Sequence, residues 1–320
     1  MSICRKFLAG LVLCFLLVPL ASAEPDDGPF DFVVIGCMPY FFPADHTRFL
    51  RLIDEVNQLE PAFTVHCGDT KSGSTPCDDE TFDRIRDYFN AFNHPLAYSV
   101  GDNEWTDCYR ENCGAYDPLE RLAYIRQHFF AQEQTLGARP MPVESQRHHP
   151  DFGLYVENTR WERGGVSFVA VHVVGTNNNN RPGEPEAIAE YEARDTANEA
   201  WIRESFALAL ENEHRAVALF IQANPFDARG APRSDGFERF LRVLREETID
   251  FPGEVVLFHS DSHYFRIDKP MLYPGSRRSL ENFTRVETFG SENMHAVRVT
   301  VDPEDEAALF TFRAHLIPQE

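Results

Sequence analysis

The sequence predicts an α/β fold in which two packed, mixed β-sheets carry helices on their outer faces. Short apolar runs alternate with stretches of helical periodicity through most of the chain, which implies parallel strands with right-handed crossovers. The C-terminal third instead alternates apolar and polar residues with period two and reads as antiparallel. Polar, often glycine-containing turns follow the strands, as a crevice at the strand ends requires.

The elements follow in order. A strand spans 31–36, and Phe49, Leu52, Ile53, Val56 and Leu59 then share one face of a helix capped near Asp45. Residues 63–67 form a strand, 81–92 a helix and 96–100 a strand, which completes a βαβαβ series. Further strands at 165–174 and 216–221 flank a helix from about 196 to 212, with Trp201, Ile202, Phe206 and Leu208 inward. A helix near 237–247 precedes a strand at 255–259, and FTRVETFG, MHAVRVTV and AALFTFRA supply the antiparallel remainder. Residues 131–150 and 175–186 read as surface loops, and the four asparagines within GTNNNNRPGEPE as a solvated turn.

The N-terminus, MSICRKFLAGLVLCFLLVPLASA, joins a basic start at Arg5 and Lys6 to an apolar run and a small-residue site. It reads as a signal peptide over 1–23, cleaved after Ala23, because the apolar run is too short for a stable span. The remaining 24–320 segment is expected to be one secreted or periplasmic domain without stable membrane association. The full chain, 320 residues with 43% hydrophobic content, can bury one large core or two modest ones. Losing Arg5 and Lys6 and no acidic residue takes the formal charge from −21 to −23. Phosphate backbones need clustered Lys and Arg, so nucleic acid is a poor partner. Five cysteines remain after cleavage, Cys37, Cys67, Cys77, Cys108 and Cys113, an odd number in a compartment that favours disulfides.

The turns at the strand ends are GCMPY, HCGDTKSGS, VGDNEWTDC, IQANPFD and HSDSHYFR. They gather Asp69, Asp102, Asn103, Glu104, His259, Asp261 and His263. Carboxylates and imidazoles converging on one rim suit a divalent metal better than a nucleophile triad, and neither a Gly-x-Ser-x-Gly elbow nor a glycine-rich phosphate loop is present. Metal-assisted hydrolysis is the reaction class this implies.

The order GD, GDNE, HSDSH resembles the calcineurin-like metallophosphoesterases, with their D-x-H, GD, GNH-E/D, lone H and GH-x-H motifs. CGDTKSGSTPC, GDNEWTDC, DPLERL, HVVGTNNN, HSDSHYFRIDKP and ENFTRVETFG look like a secreted subgroup of that superfamily, and the resemblance covers roughly residues 30–303. It implies one or two divalent ions (zinc, manganese, iron or magnesium) and a small-molecule or extracellular phosphoester as substrate.

Carried across residue by residue, the resemblance makes Asp69 the aspartate that bridges two metals about 3.5–4 Å apart. At the first metal, Cys37 and Pro39 replace the family's Asp and His, and His263 survives. A thiolate at Cys37 would favour zinc. At the second metal stand Asp102 or Asn103, Gln222 or Ala223, and Asp261, a harder set suited to magnesium, manganese or calcium. Asn103 takes the place of the proton-donating histidine, with Glu104 and His259 as its nearest stand-ins. Lys71 and Arg266 are candidate phosphate contacts, and Trp105 and Tyr264 candidate pocket walls. Cys77 and Cys108, both in subgroup-like motifs, are the expected disulfide, while Cys37 and Cys67 end strands close enough for a second. His66 and His172, each alone in an apolar strand, read as core residues.

Three functions follow: an exported metal-dependent phosphoesterase with an altered dinuclear site, a pseudoenzyme that binds through the same crevice, or a structural surface domain of this architecture.

Overall fold

The computed structural model describes residues 28–305 and 307–318, and the predicted leader lies outside them. The first sheet contains β1 (Phe30–Ile35), β2 (Thr64–Cys67), β3 (Leu96–Ser99), β11 (Ala296–Val301) and β12 (Phe310–His315), in the order β12-β11-β1-β2-β3. Strands β1, β2 and β3 are parallel, and β11 and β12 close the sheet antiparallel. The second sheet contains β4 (Glu144–Ser145), β5 (Thr159–Arg163), β6 (Val166–Ala170), β7 (Ala216–Phe220), β8 (Glu254–His259), β9 (Arg266–Asp268) and β10 (Phe283–Glu287). Its order is β4-β5-β6-β7-β8-β10-β9, with β6, β7, β8 and β10 parallel.

Period-two alternation within these apolar strands buries both faces. Val33 and Ile35 point toward helices α1 (His46–Leu59), α2 (Asp79–Asn90) and α3 (Pro118–Phe129), packing with Phe49, Leu52, Ile85, Phe89, Leu122 and Ile125. Phe32 and Val34 point the other way, into the layer between the sheets. There the Phe32 ring lies 5.0 Å from Phe63, 5.5 Å from Phe168 and 5.6 Å from Phe258. The outer face of the second sheet is covered by α4 (Pro185–Glu211) and α5 (Glu238–Asp250) through Trp201, Phe206, Leu241 and Leu244.

The expected architecture stands, and several details differ. Helix α4 begins eleven residues before the predicted start at 196, at Pro185. Its first half buries Arg194, Asp195 and Asn198, polar residues that erase the apolar stripe a sequence reading depends on. Strand β10 is parallel to β8, not antiparallel, and the predicted strand 165–174 leaves its ladder after Ala170. There the His172 amide donates to Asn158 Oδ1 (2.8 Å) instead of to a strand. The segment 131–150 is not all surface loop, since it contains β4 and the buried Gln146. Asp45 takes the N-cap position of α1 as expected, but its side chain makes no capping bond; its Oδ2 instead accepts from the amides of Tyr40 (3.0 Å) and Phe41 (2.9 Å). Among the described residues no helix is long and apolar enough to cross a membrane.

The cysteines pair in part as expected. Cys77 and Cys108 form a disulfide, whereas Cys37 and Cys67 are free and buried, as is Cys113. His66 and His172 are core residues: His66 Nε2 meets the Met38 carbonyl at 2.8 Å, and His172 Nδ1 meets Glu157 Oε1 at 2.7 Å.

Two predictions follow from this packing. Replacing Phe32 by Ala removes the ring on which both sheets close and should lower unfolding free energy by about 3–5 kcal/mol, read from urea denaturation. Burial pushes the His66 imidazole down from 6.5 to about 4, despite the Met38 carbonyl. A histidine lowered in the folded state favours folding above its unfolded value, and that contribution is lost as pH falls from 6.5 toward 4. An NMR titration should find this ring neutral at pH 5.5; half-protonation there contradicts the assignment.

Candidate functional site

Four of the proposed ligands owe their direction to unusual backbone. Cys37, Asp69, Asp261 and His263 all lie in the left-handed region, at φ of 53°, 57°, 81° and 58°. Side chains other than glycine or asparagine resist this conformation, and such residues concentrate where function demands a particular direction. Each sits just beyond a strand end, after β1, β2 or β8. Gly101, after β3, has no side chain for a steric reason: a Cβ there would come within 2.4 Å of Asp69 Oδ1.

The result is a crowded acidic crevice. Asp69 is buried, and its neighbours are the Cys37 thiol (3.5 Å from Oδ2), the Tyr40 hydroxyl (3.0 Å from Oδ2) and the Asn103 amide N–H (3.3 Å from Oδ1). Burial raises the Asp69 pKa well above the ordinary range, and Asp102, Glu104 and Asp261 raise it further by repulsion. Asp261 keeps 23% of its side chain exposed, accepts from the Asn224 amide at 3.0 Å and lies 3.5 Å from Arg233. Even so, burial in the surrounding protein and then the Asp102 charge push it up to about 7.

Asp102 accepts from the Thr176 hydroxyl at 2.7 Å, which also lies 3.1 Å from Asp107. Thr176 belongs to GTNNNN, and the asparagine run proves not to be a solvated turn: Asn178 and Asn179 are fully buried. Gln222, one of the two residues at the lone-histidine position, accepts from the Gly175 amide at 2.6 Å and leaves its Nε2 without a partner among the described residues.

The other candidates occupy less open places. Glu104 is wholly buried, with Oε1 accepting from the Thr70 amide (2.9 Å), the Thr70 hydroxyl (3.0 Å) and Tyr98 (2.9 Å). His259 is wholly buried, with Nδ1 2.8 Å from the Ser260 carbonyl, and burial pushes its pKa down to about 3. Lys71 is buried too, and its ammonium donates to the carbonyls of Ser72 (3.1 Å) and Thr75 (3.0 Å). Arg266 lies 2.7 Å from Glu287 and covers the exposed Tyr264 ring, which projects to solvent (66% exposed) rather than walling a buried pocket. Trp105 is fully buried beneath the loop, its ring 5.5 Å from that of His172.

Two donor sets can be weighed against a metal. At the first position the Tyr40 hydroxyl stands 3.0 Å from both Asp69 Oδ2 and His263 Nε2. Cys37 accepts the Asp261 N–H at 3.0 Å, and its pKa is raised well above the thiol range by burial and then by Asp69. A protonated thiol and an intervening phenol do not fit a first ion. At the second position Asp69, Asp102 and Asp261 present oxygen alone, and their mutual repulsion is what a hard cation relieves. Their donor chemistry fits one such ion, although among the described residues no three His, Cys, Asp or Glu side chains are already gathered closely enough to hold it. Tyr40 and Thr176 are site residues that motif reasoning passed over, although GCMPY and HVVGTNNN both contained the signal.

No protein-family model matches this chain, and no curated protein matches its sequence. Solved structures do resemble it. A dimetal phosphatase from Danio rerio aligns at a TM-score of 0.58 and 11% identity, over 91% of this chain and 97% of that one. PhoD aligns at 0.55 and 12% identity, over 86% of this chain and 64% of PhoD. GAP50, the anchor in the inner membrane complex of Plasmodium, aligns at 0.51 and 7% identity, over 92% and 90%. At such identities the likeness speaks to fold: two mixed sheets flanked by helices, in the arrangement of phosphatases of the calcineurin-like type.

Proposed function

We propose that this chain is an exported phosphoester hydrolase of the calcineurin-like type, working with one hard divalent cation at the second metal position. The observation that carries this reading is the trio Asp69, Asp102 and Asp261, three mutually repelling carboxylates at the strand ends of a phosphatase fold. These three would hold the ion, while Asn103 supports Asp69 through its backbone amide (3.3 Å from Oδ1) and turns its side-chain nitrogen to the Lys71 carbonyl (3.1 Å). Magnesium or manganese suits such a set, and a bound ion of this kind supplies Lewis-acid polarisation of a phosphoryl oxygen.

The chain's own residues do the rest. Arg233, 54% exposed and 3.5 Å from Asp261, stands at the rim where a phosphate oxygen would arrive. Arg266, already paired with Glu287, serves as a secondary contact at most. Lys71 supports the loop that follows β2, because its ammonium is spent on two carbonyls. Glu104 and His259, expected as acid–base groups, are assigned supporting roles here, since neither reaches the open crevice.

A second reading rests on the Tyr40 hydroxyl, which bonds both Asp69 and His263 and so closes the first metal position from within. On this reading the chain is a pseudoenzyme that binds without hydrolysing. GAP50 shares the fold and is an anchor, which makes a non-hydrolytic role compatible with the architecture.

The readings separate cleanly. With Mn2+ or Mg2+ supplied, the purified protein should contain about one ion per chain and hydrolyse aryl phosphate mono- or diesters. Asp69→Asn should lower that rate about 100-fold or more, since it removes a ligand charge. Wild type without bound metal and without hydrolysis establishes the pseudoenzyme instead. Restoring the family's carboxylate with Cys37→Asp should raise metal content above that of wild type; unchanged content would mean that Cys37 is not the break in the first position.

A further inference from the structure

The segment that follows β6 contains an unusual piece of backbone. Thr176, Asn177, Asn178 and Asn179 have φ of 49°, 56°, 54° and 62°, a full turn of left-handed helix. Such a turn costs an ordinary residue about 1–2 kcal/mol, less for Asn, so surrounding contacts must hold it. They do. Arg194 on α4, completely buried, donates to Asn178 Oδ1 (2.7 Å), the Asn178 carbonyl (2.9 Å) and the His172 carbonyl (2.8 Å). Glu190 holds Arg194 at 2.6 Å and Asn179 Nδ2 at 2.8 Å. On the other side Asn177 Oδ1 accepts from the Gly236 amide at 3.0 Å and from the Ser234 hydroxyl.

The opposite end of this braced turn meets the crevice. The Thr176 hydroxyl lies 2.7 Å from Asp102 Oδ2, and the Gly175 amide donates to Gln222 Oε1 at 2.6 Å. The contact with Asp102 is so close that a Cβ at Gly175 would fall 2.6 Å from its carboxylate. The hydroxyl has one proton for two nearby carboxylates. Asp107 has its own cation in Arg110, at 2.8 Å, so the proton goes to the shorter contact, Asp102.

We propose that the left-handed turn 176–179 is a positioning clamp: braced by Arg194, it uses Thr176 to fix the orientation of the Asp102 carboxylate for cation binding. The inference rests on the hydrolase reading above and deepens it. Thr176 touches neither cation nor substrate; it is a positioning residue that acts through Asp102.

The test compares wild type, Thr176→Val and Thr176→Ser by Mn2+ titration calorimetry, thermal melting, kcat and KM for an aryl phosphate, and crystallography. Thr176→Val should weaken Mn2+ about 10–100-fold. Its kcat at a fixed subsaturating Mn2+ concentration should fall with KM little changed, and its melting temperature should stay close to wild type. Thr176→Ser, which keeps the donor, should restore Mn2+ affinity. Wild-type Mn2+ affinity in a folded Thr176→Val overturns the clamp, as does a loss of affinity that Ser does not restore. If the valine variant fails to fold, Thr176→Ala, which removes the donor without adding bulk, takes its place under the same criteria. If wild type itself binds no Mn2+, the hydrolase reading fails separately. The clamp is then decided by the variant crystal structure, where a displaced Asp102 carboxylate supports it and an unmoved one overturns it.

Discussion

Carboxylates gathered at the strand ends set the terms for everything around them. Asp69, Asp102 and Glu104 are buried and Asp261 partly so; Arg233 reaches only Asp261, from the rim at 3.5 Å, and the Lys71 ammonium is bonded to the carbonyls of Ser72 and Thr75. Burial raises the pKa values of Asp69, Glu104 and Asp261, and like-charge repulsion, strong in a low-dielectric setting, raises Asp69 and Asp261 further. A fold maintains such a cluster only by anchoring each member. Glu104 is held by Thr70 and Tyr98, Asp69 by Tyr40 and the Asn103 amide, Asp102 by Thr176, and Asp261 by the Asn224 amide.

Those anchors reach deep into the molecule. The turn behind Asp102 depends on Arg194, which lies in the polar first half of α4, and Arg194 in turn bonds the His172 carbonyl. His172 meets Glu157, and Glu157 forms a two-bond pair with Arg126 of α3, at 2.6 and 2.9 Å. Buried charges of this kind contribute little net stability compared with an apolar core, and removing one partner is expensive. Their use is directional. They connect the outer helices of both sheets to one face of the crevice, while the phenylalanine layer between the sheets keeps the strand ends in register.

The first metal position shows how a small change of residue type alters a site's chemistry. Cys37 stands where the resemblance places a carboxylate, and burial beside Asp69 keeps its thiol protonated. Tyr40 then donates its one hydroxyl proton to Asp69 and stands 3.0 Å from His263 Nε2, so the phenol occupies the space between two residues that a first metal would share. What remains on the other side is all oxygen, so the crevice is asymmetric: occupied by the Tyr40 phenol near β1, and lined by the carboxylates of Asp102 and Asp261 opposite.

The sequence by itself determined the layers. Apolar strands with both faces buried, the amphipathic stripes of α1, α2 and α5, and polar turns after each strand are local patterns that period and composition express directly. It also singled out Asp69, Asp102, Asp261 and His263 as neighbours, because strand ends of an α/β sheet share one rim. Only the tertiary structure decided what surrounds them. The first half of α4 escaped a periodicity reading because its buried face is polar, and the asparagine run looked like a loop because its partners, Arg194 and Gly236, are distant in sequence. Whether Lys71, Glu104 and His259 open to the crevice depended on side-chain burial, which residue type does not encode. The role of Tyr40 was hidden for the same reason: a phenol between an aspartate and a histidine 223 residues away is a contact that folding alone creates.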